Sequence, residues 1–261
     1  MNKPFETELL VRVEEAGINA SAPREQLWVD GWLVRLSPGK AKRARCIQAV
    51  APGRLPVEGR LQRCLGLYAG AGLRPYIRIT PFSLPPDLDA RLADLGMERI
   101  DETRVMIASM PAPADAAGDT VFATSGIRFQ PVAATDFAEW IGSQRGSSIA
   151  ERGAHAGRLR DAPVRHHAVL VADSSGATVA GGQVAAEEEL AGLYDIFTAA
   201  PLRNRGVARA LCHHLLAYAA ARGARTAYLQ VEAGNEPARR LYRRLGFEDA
   251  YAYHYRTPPA S

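Results

Sequence analysis

No apolar run in this chain approaches the roughly 20 residues that a membrane-spanning helix needs. The longest are as short as Ala-Val-Leu-Val-Ala at 168–172, so no membrane partner is expected. Cysteine is scarce too. Cys46, Cys64 and Cys212 are isolated and odd in number, which argues against a disulfide framework and against paired metal-binding spacing. They read as reduced, buried thiols of a cytoplasmic protein. The opening Met-Asn-Lys-Pro-Phe-Glu-Thr-Glu lacks the apolar core of an export signal. Four of the six histidines form two adjacent pairs, His166-His167 and His213-His214, whose members point different ways from a helix or strand. Metal ligands must converge, so no metal is expected.

Acids are missing from one stretch in particular. Between Arg203 and Arg244 there are nine arginines but only Glu232 and Glu236, although the whole chain of 261 residues carries a formal charge of just +4. Such a patch fits a solvated helix face, a phosphorylated ligand or a nucleic acid. Position within the elements decides among them. The arginines begin in Leu-Arg-Asn-Arg-Gly-Val-Ala, at the entrance to an amphipathic run with Val207, Leu211, Leu215 and Tyr218 on one stripe. A helix N-terminus already carries positive partial charge, so cations there are misplaced unless an anion joins them.

The chain divides near its middle. The stretch from Met110 to Gly126 is rich in Pro, Ala, Asp and Gly and reads as a linker, giving units at 1–110 and 127–261. Sliding the second half over the first by 150 positions gives nine identities in the 44 positions from Leu55 to Glu98. A constant offset with a shared helix–strand–helix pattern points to duplication. In the second half, Gly-Ile-Arg-Phe-Gln-Pro-Val is a strand, and a helix follows with Thr135 or Asp136 as its cap. Three hairpin-linked strands come next, ending in Gly-Leu-Tyr-Asp-Ile-Phe-Thr. Then come the helix from about Arg205 to Arg222, the strand Thr-Ala-Tyr-Leu-Gln-Val, and a helix with Asn235 as cap, Pro237 in its first turn and Gly246 at its end. This is an α/β chain of the α+β type, a mixed sheet with helices packed on it.

The residues Arg203-Asn-Arg-Gly-Val-Ala208 fit Arg/Gln-x-x-Gly-x-Gly/Ala, and Asn235, Ala238, Leu241-Tyr242 and Gly246-Phe247 follow in order. By these motifs the second half, from about Ile127 to Arg256, resembles the GNAT N-acetyltransferases. The resemblance implies two tandem GNAT-like units and a pyrophosphate of acetyl-CoA cradled by Arg203, Asn204, Arg205, Gly206, Val207, Ala208 and Arg209. Ala208 stands where many members have glycine. Physical chemistry agrees with a phosphate here: a helix start offers N–H groups without intrahelical partners, and Gly206 has no Cβ to obstruct approach. A P-loop is excluded because no Lys-Ser/Thr follows the glycine. A dinucleotide fingerprint is excluded because the second glycine and the downstream acid are missing.

The resemblance further implies that the strand carrying Ile196, Phe197 and Thr198 splays from its neighbour, its freed backbone groups holding the pantetheine and the acetyl carbonyl. Tyr242 matches the residue that protonates the departing sulfur, although its helix stripe also fits a core tyrosine. Asn235 matches a pantetheine contact and is equally a helix cap. A base is harder to name. Asp195 is the candidate because a carboxylate within a central strand is costly unless it faces a cleft. Glu187, Glu188 and Glu189 read as a solvated turn.

At the same offset the first half has lost each of these groups. Pro56 falls on Gly206, Glu58 on Ala208, Pro85 on Asn235 and Leu92 on Tyr242. It reads as a degenerate unit without a cofactor site, able to supply a wall for the acceptor. Lys42, Arg43 and Arg45 either hold an acidic group there or belong to a solvated hairpin, the reading favoured by sequence. The leading expectation is acetyl transfer to a primary amine of a small molecule or peptide by a monomer or homodimer. A non-catalytic acyl-CoA sensor is the alternative. Binding of nucleic acid is not expected, since no aromatic platform is interleaved with the arginines.

Overall fold

The computed structural model describes residues 5–110 and 126–259; the proposed linker falls almost wholly outside them. Helices α1 (Thr7–Ala20), α2 (Val57–Gly70) and α3 (Leu88–Asp94) belong to the first half, with strands β1 (Gln26–Val29), β2 (Trp32–Arg35), β3 (Ile47–Gln48), β4 (Ile77–Ile79) and β5 (Glu98–Ser109). The second half supplies β6 (Arg128–Val132), α4 (Ala134–Gln144), α5 (Ile149–Asp161), β7 (His166–Ala172), β8 (Thr178–Glu187) and β9 (Leu190–Thr198). It continues with α6 (Val207–Ala220), β10 (Thr226–Glu232), α7 (Glu236–Arg244) and β11 (Glu248–Thr257).

The strands form one sheet in the order β1-β2-β3-β4-β11-β5-β10-β9-β8-β7-β6. Among the described residues only β3–β4 and β9–β10 run parallel, which follows from the helical crossovers α2 and α6 between them. The 150-residue offset survives in space: α2 shifted by 150 coincides with α6 residue for residue, and the shifted β5 begins where β11 begins. The halves are nevertheless not separate sheets. β5 pairs with β10 of the second half, while β11 pairs with β4 of the first, and the two strands pair antiparallel with each other. Each half thus closes the other's sheet with its own last strand.

Both faces of this sheet are covered. Val207, Leu211 and Leu215 recur at fourfold spacing on α6 and are buried against β8 and β9. Gly182 permits that approach, because a Cβ there would lie 2.5 Å from Ile196 Cδ1 and 3.3 Å from both Leu211 and Leu215. Helix α1 packs its Val13, Ala16 and Ala20 face beneath Tyr194, Tyr228 and Tyr255 on the other side. Its buried Glu14 accepts from both terminal nitrogens of Arg78 on β4 and from the Tyr251 hydroxyl on β11 at 2.7 Å. Removing Glu14 or Arg78 would strand a buried charge, at a cost of about 3–5 kcal/mol. A third cluster, with Trp32, Tyr68, Ile77 and Leu92, fills the first half.

Several local expectations need correction. Helix α4 starts at Ala134 after an Ala133 that makes no side-chain cap, so Thr135 and Asp136 lie in its first turn. There Asp136 favours the helix dipole without capping it. Helices α1 and α5 were absent from the sequence reading. The second was signposted, since Ser148 and Glu151 form a reciprocal capping box. The segment with Lys42, Arg43 and Arg45 is no hairpin turn but an eleven-residue excursion between β2 and β3 carrying one 3-10 turn at Lys42–Ala44.

Candidate active site

Strand β9 is where the sheet opens. Its pairing with β8 jumps from Gln183↔Tyr194 to Gly181↔Phe197, so three steps on β9 oppose two on β8. The extra residue makes a bulge, and Asp195 in it adopts φ 53°. Pairing with β10 stops at Leu193↔Leu229, although β9 runs on to Thr198 and β10 to Glu232. The two parallel strands therefore separate from Tyr194 onward and leave backbone groups of β9 unpaired on that side. The splay expected at Ile196–Thr198 lies within this wedge.

A cleft of about 600 Å³ occupies the opening. Asp195, Ile196, Asn235 and Tyr242 all line it, and so does the Ser37–Ala44 region of the first half. Phe197 turns its side chain away, edge-on to Trp140 with centroids 5.8 Å apart. Thr198 presents its carbonyl to Arg203 Nε, which donates to it at 3.2 Å. That bond ties the arginine-rich loop to the end of β9. Beyond a 3-10 turn at Ala200–Leu202 the loop is exposed, and Gly206 caps α6 with φ 81°. Among the described residues no side chain caps α6, and its first turn contains no acid. A Cβ built on Gly206 would meet nothing within 4 Å, so the space before the helix start is open. Asn204, at φ 61°, completes the turn, with Arg205 exposed beside it. Val207 is buried, Ala208 half-buried and Arg209 exposed as α6 begins.

Asn235 caps α7 by accepting from the Ala238 N–H at 3.2 Å. The cap uses only the side-chain oxygen, so its amide nitrogen keeps its donors. Tyr242 belongs both to the core and to the cleft: its ring meets Phe247 edge-on at 6.0 Å, and only 8% of the residue is exposed. Burial pushes its phenol well above the ordinary tyrosine value, which keeps it protonated at neutral pH.

Asp195 is the most heavily engaged group of the cleft. Arg145 Nη1 and Gln183 Nε2 donate to its carboxylate at 2.5 and 2.8 Å, and His155 Nε2 stands 3.7 Å away. Burial raises its pKa, but Arg145 outweighs that, with His155 and Arg158, and holds the carboxyl well below the usual range. Such a firmly ionised group is a weak proton acceptor and a persistent anion. The candidate base of the sequence thus has the chemistry of a charge partner. Glu187, Glu188 and Glu189 are occupied elsewhere: Asn19 donates to Glu187, and Arg12 bridges Glu188 and Glu189.

Arg145, His155, Arg158, His166 and Gln183 were missed by the sequence reading, and all line the cleft. Burial lowers His155 and His166 to about 4, so both imidazoles are neutral at pH 7. His167 and His214 instead stack on Tyr218 and Phe129. Of the arginines on α7, Arg239 and Arg243 both pair with Asp249.

Comparison with known proteins agrees with this geometry. A GCN5-related N-acetyltransferase from Kribbella flavida is 20% identical and superposes with a TM-score of 0.69, covering 96% of this chain and 95% of its own. A tandem GNAT protein from the clavulanic acid biosynthesis pathway is 15% identical, with a TM-score of 0.63 over 83% of this chain and 76% of its own. A functionally unknown conserved protein from Staphylococcus epidermidis gives 8% identity and 0.59 over 90% and 94%. No curated protein matches the chain. The family model described as probable histone acetyltransferase Rv0428c C-terminal matches residues 10–256. With that match spanning nearly its whole length, the chain belongs to the Rv0428c C-terminal family, and its fold is a tandem GNAT fold.

Proposed function

We propose that the protein transfers an acetyl group from acetyl-CoA to an amine in the cleft between β9 and β10. The observation that carries this reading is the wedge itself. Unpaired strand backbone and a buried neutral phenol meet in one opening, and the bond from Arg203 to the Thr198 carbonyl ties the uncapped, glycine-started helix to the end of the same strand. The first N–H groups of α6, with Arg203, Arg205 and Arg209, suit the pyrophosphate. Ile196, Phe197 and Thr198 offer backbone groups to the pantetheine arm, and Asn235 offers its amide nitrogen.

Acetyl-CoA supplies an activated thioester carbonyl. The amine nitrogen attacks that carbon, the C–N bond forms, and the C–S bond breaks. A backbone N–H in the bulge, at Ile196, meets the charge that grows on the carbonyl oxygen. Tyr242 gives its proton to the leaving sulfur. Asp195 draws the ammonium form of the amine into the cleft; one of its protons passes to water before attack, and a second, lost after attack, returns through water to Tyr242. The alternative, an acyl-CoA sensor, keeps the loop but has no need of the Tyr242 hydroxyl. Release of free CoA from acetyl-CoA, measured with and without a broad amine panel, separates the two. Amine-dependent release is expected; calorimetric binding without any such release would overturn the enzyme reading.

A further inference from the structure

The acceptor side of the cleft carries more positive than negative charge. Six cationic side chains line it against four carboxylates. Three of the six pair with a carboxylate: Lys42 with Asp101, Arg145 with Asp195 at 2.5 Å, and Arg152 with Glu139 at 2.8 Å, while the exposed Lys40 reaches only the Arg145 carbonyl at 3.5 Å. Two half-buried arginines, one from each half of the molecule, pair with none. Arg43, in the 3-10 turn of the first half, donates to the neutral Gln230 Oε1 at 2.9 Å and lies 5.6 Å from the Tyr194 ring centroid. Arg158, on α5 of the second half, donates to the Ala20 carbonyl at 3.2 Å. Among the described residues neither guanidinium has a carboxylate oxygen within 4.0 Å.

Burial, with repulsion from Arg43, holds Arg158 below its ordinary value, whereas the neighbouring tyrosines and Asp195 outweigh burial and hold Arg43 above its own. Asp195 is near enough to act on both, yet among the described residues its arginine ion pair is with Arg145 alone. Polar atoms beside them are also unsatisfied. His155 Nε2, His166 Nδ1 and Gln183 Oε1 are buried without a hydrogen-bond partner, and all three side chains line the cleft. Buried donors and charges without partners are costly, and they persist where a ligand completes them. The arrangement is rigid as well, since the buried Arg35 donates to the Arg43 carbonyl and to that of Ile18.

We infer that the acceptor is an amine that also carries a carboxylate, bound with its carboxylate between Arg43 and Arg158 and its ammonium toward Asp195. A guanidinium fork matches the two oxygens of a carboxylate, which a point charge does not. Opposite charges at the two ends then fix which way the acceptor lies. The inference rests on the transferase reading for its chemistry but not for its binding geometry. It also explains why a half without a phosphate loop remains part of the site: it brings Arg43.

The test uses the full chain with the free α-amino acids and their α-carboxamides, which keep the amine and remove only the anion. Acetyl-CoA turnover should favour at least one acid over its amide by roughly 10- to 100-fold in kcat/KM, the worth of a charge-assisted contact. Arg43→Gln and Arg158→Gln should each shrink that ratio toward one through KM, while calorimetric affinity for acetyl-CoA stays unchanged. Arg43→Lys and Arg158→Lys, which keep the charge and the bulk, should recover part of the ratio and guard against simple misfolding. If amides turn over as well as acids, or if the variants weaken acetyl-CoA instead, the arginines do not read a carboxylate. If nothing turns over, calorimetry of the same acids and amides still decides. Equal binding of both sinks the inference, whereas preferential binding of acids upholds it and places the failure in the transferase reading.

Discussion

Two helix starts lie 150 positions apart, and they have opposite chemistry. Helix α2 begins after Pro56, in extended conformation at φ −52°, with Glu58 in its first turn. Its N-terminus has no side-chain cap, but Glu58 sets a negative charge against the helix dipole. Helix α6 begins after Gly206 in left-handed conformation, with no acid in its first turn and open space before it. The same crossover, between two parallel strands, thus starts with an acid in one half and with a glycine and no acid in the other. The next pair differs in the same sense. Leu92 is fully buried in the first half's core, whereas Tyr242 keeps its ring in the core and lines the cleft.

The largest effect should come from the hydroxyl that separates these two positions. Tyr242→Phe keeps the ring against Phe247 and removes only the proton donor. Turnover should fall roughly 10²–10⁴-fold, the range for a general acid, with acetyl-CoA affinity nearly unchanged. Unchanged turnover in steady-state assays would return Tyr242 to the core alone.

Next is the helix start itself. Gly206→Glu adds an anion at the open N-terminus and forces a side chain into a left-handed backbone. Acetyl-CoA affinity should drop by about tenfold or more, since one lost charged contact is worth that much. Calorimetry with a circular dichroism check measures it, and an unaltered Kd would mean that the phosphates lie elsewhere.

These contrasts show which parts of the molecule were legible. The loop, Asn235, Tyr242 and the 150-residue offset are local patterns, and the folded chain keeps each in the expected element. The exchange of β5 and β11 was not legible, because either strand suits either sheet and only long-range pairing selects. The polar wall of the cleft was hidden for a related reason. His155 and Arg158 sit three apart on α5, an ordinary helix spacing, and gain meaning only when Asp195 and Arg43 arrive from other elements. Arg43 read as solvated because its loop is polar. Its burial is imposed by the second half, through Gln230 and Tyr194.

The walls of the cleft also differ in how they titrate. The first half contributes Arg43, whereas the second contributes His155 and His166. Burial holds both histidines at about 4 against an ordinary 6.5. Between those values the unfolded chain binds more protons than the folded one, so stability falls as the pH drops from about 6.5 to 4. The loss should reach about 1–3 kcal/mol per histidine, or several degrees in Tm. His166→Asn should flatten the decline in thermal melts across this window. A decline as steep in the variant would assign the acid sensitivity to other groups.

The smallest effect should follow from giving the first half the residue it lacks. Leu92→Tyr restores the side chain found at the equivalent position of α7, but not its surroundings. Leu92 is fully buried, packed with Trp32, Tyr68 and Ile77. A larger ring must strain that core, and its hydroxyl needs a partner there. Stability should fall by about 1–3 kcal/mol, a few degrees in Tm. Binding should not change, because Pro56 and Glu58 still close the helix start where the phosphates would have to sit. Calorimetry should continue to find one acetyl-CoA per chain, with the transferase rate unaltered. A second saturable site in this variant would mean that the first half needs only its phenol to regain a cofactor, and that the difference between the two helix starts is incidental. A single site places the decisive difference at the start of α2, where Glu58 stands in a first turn that in α6 holds no acid.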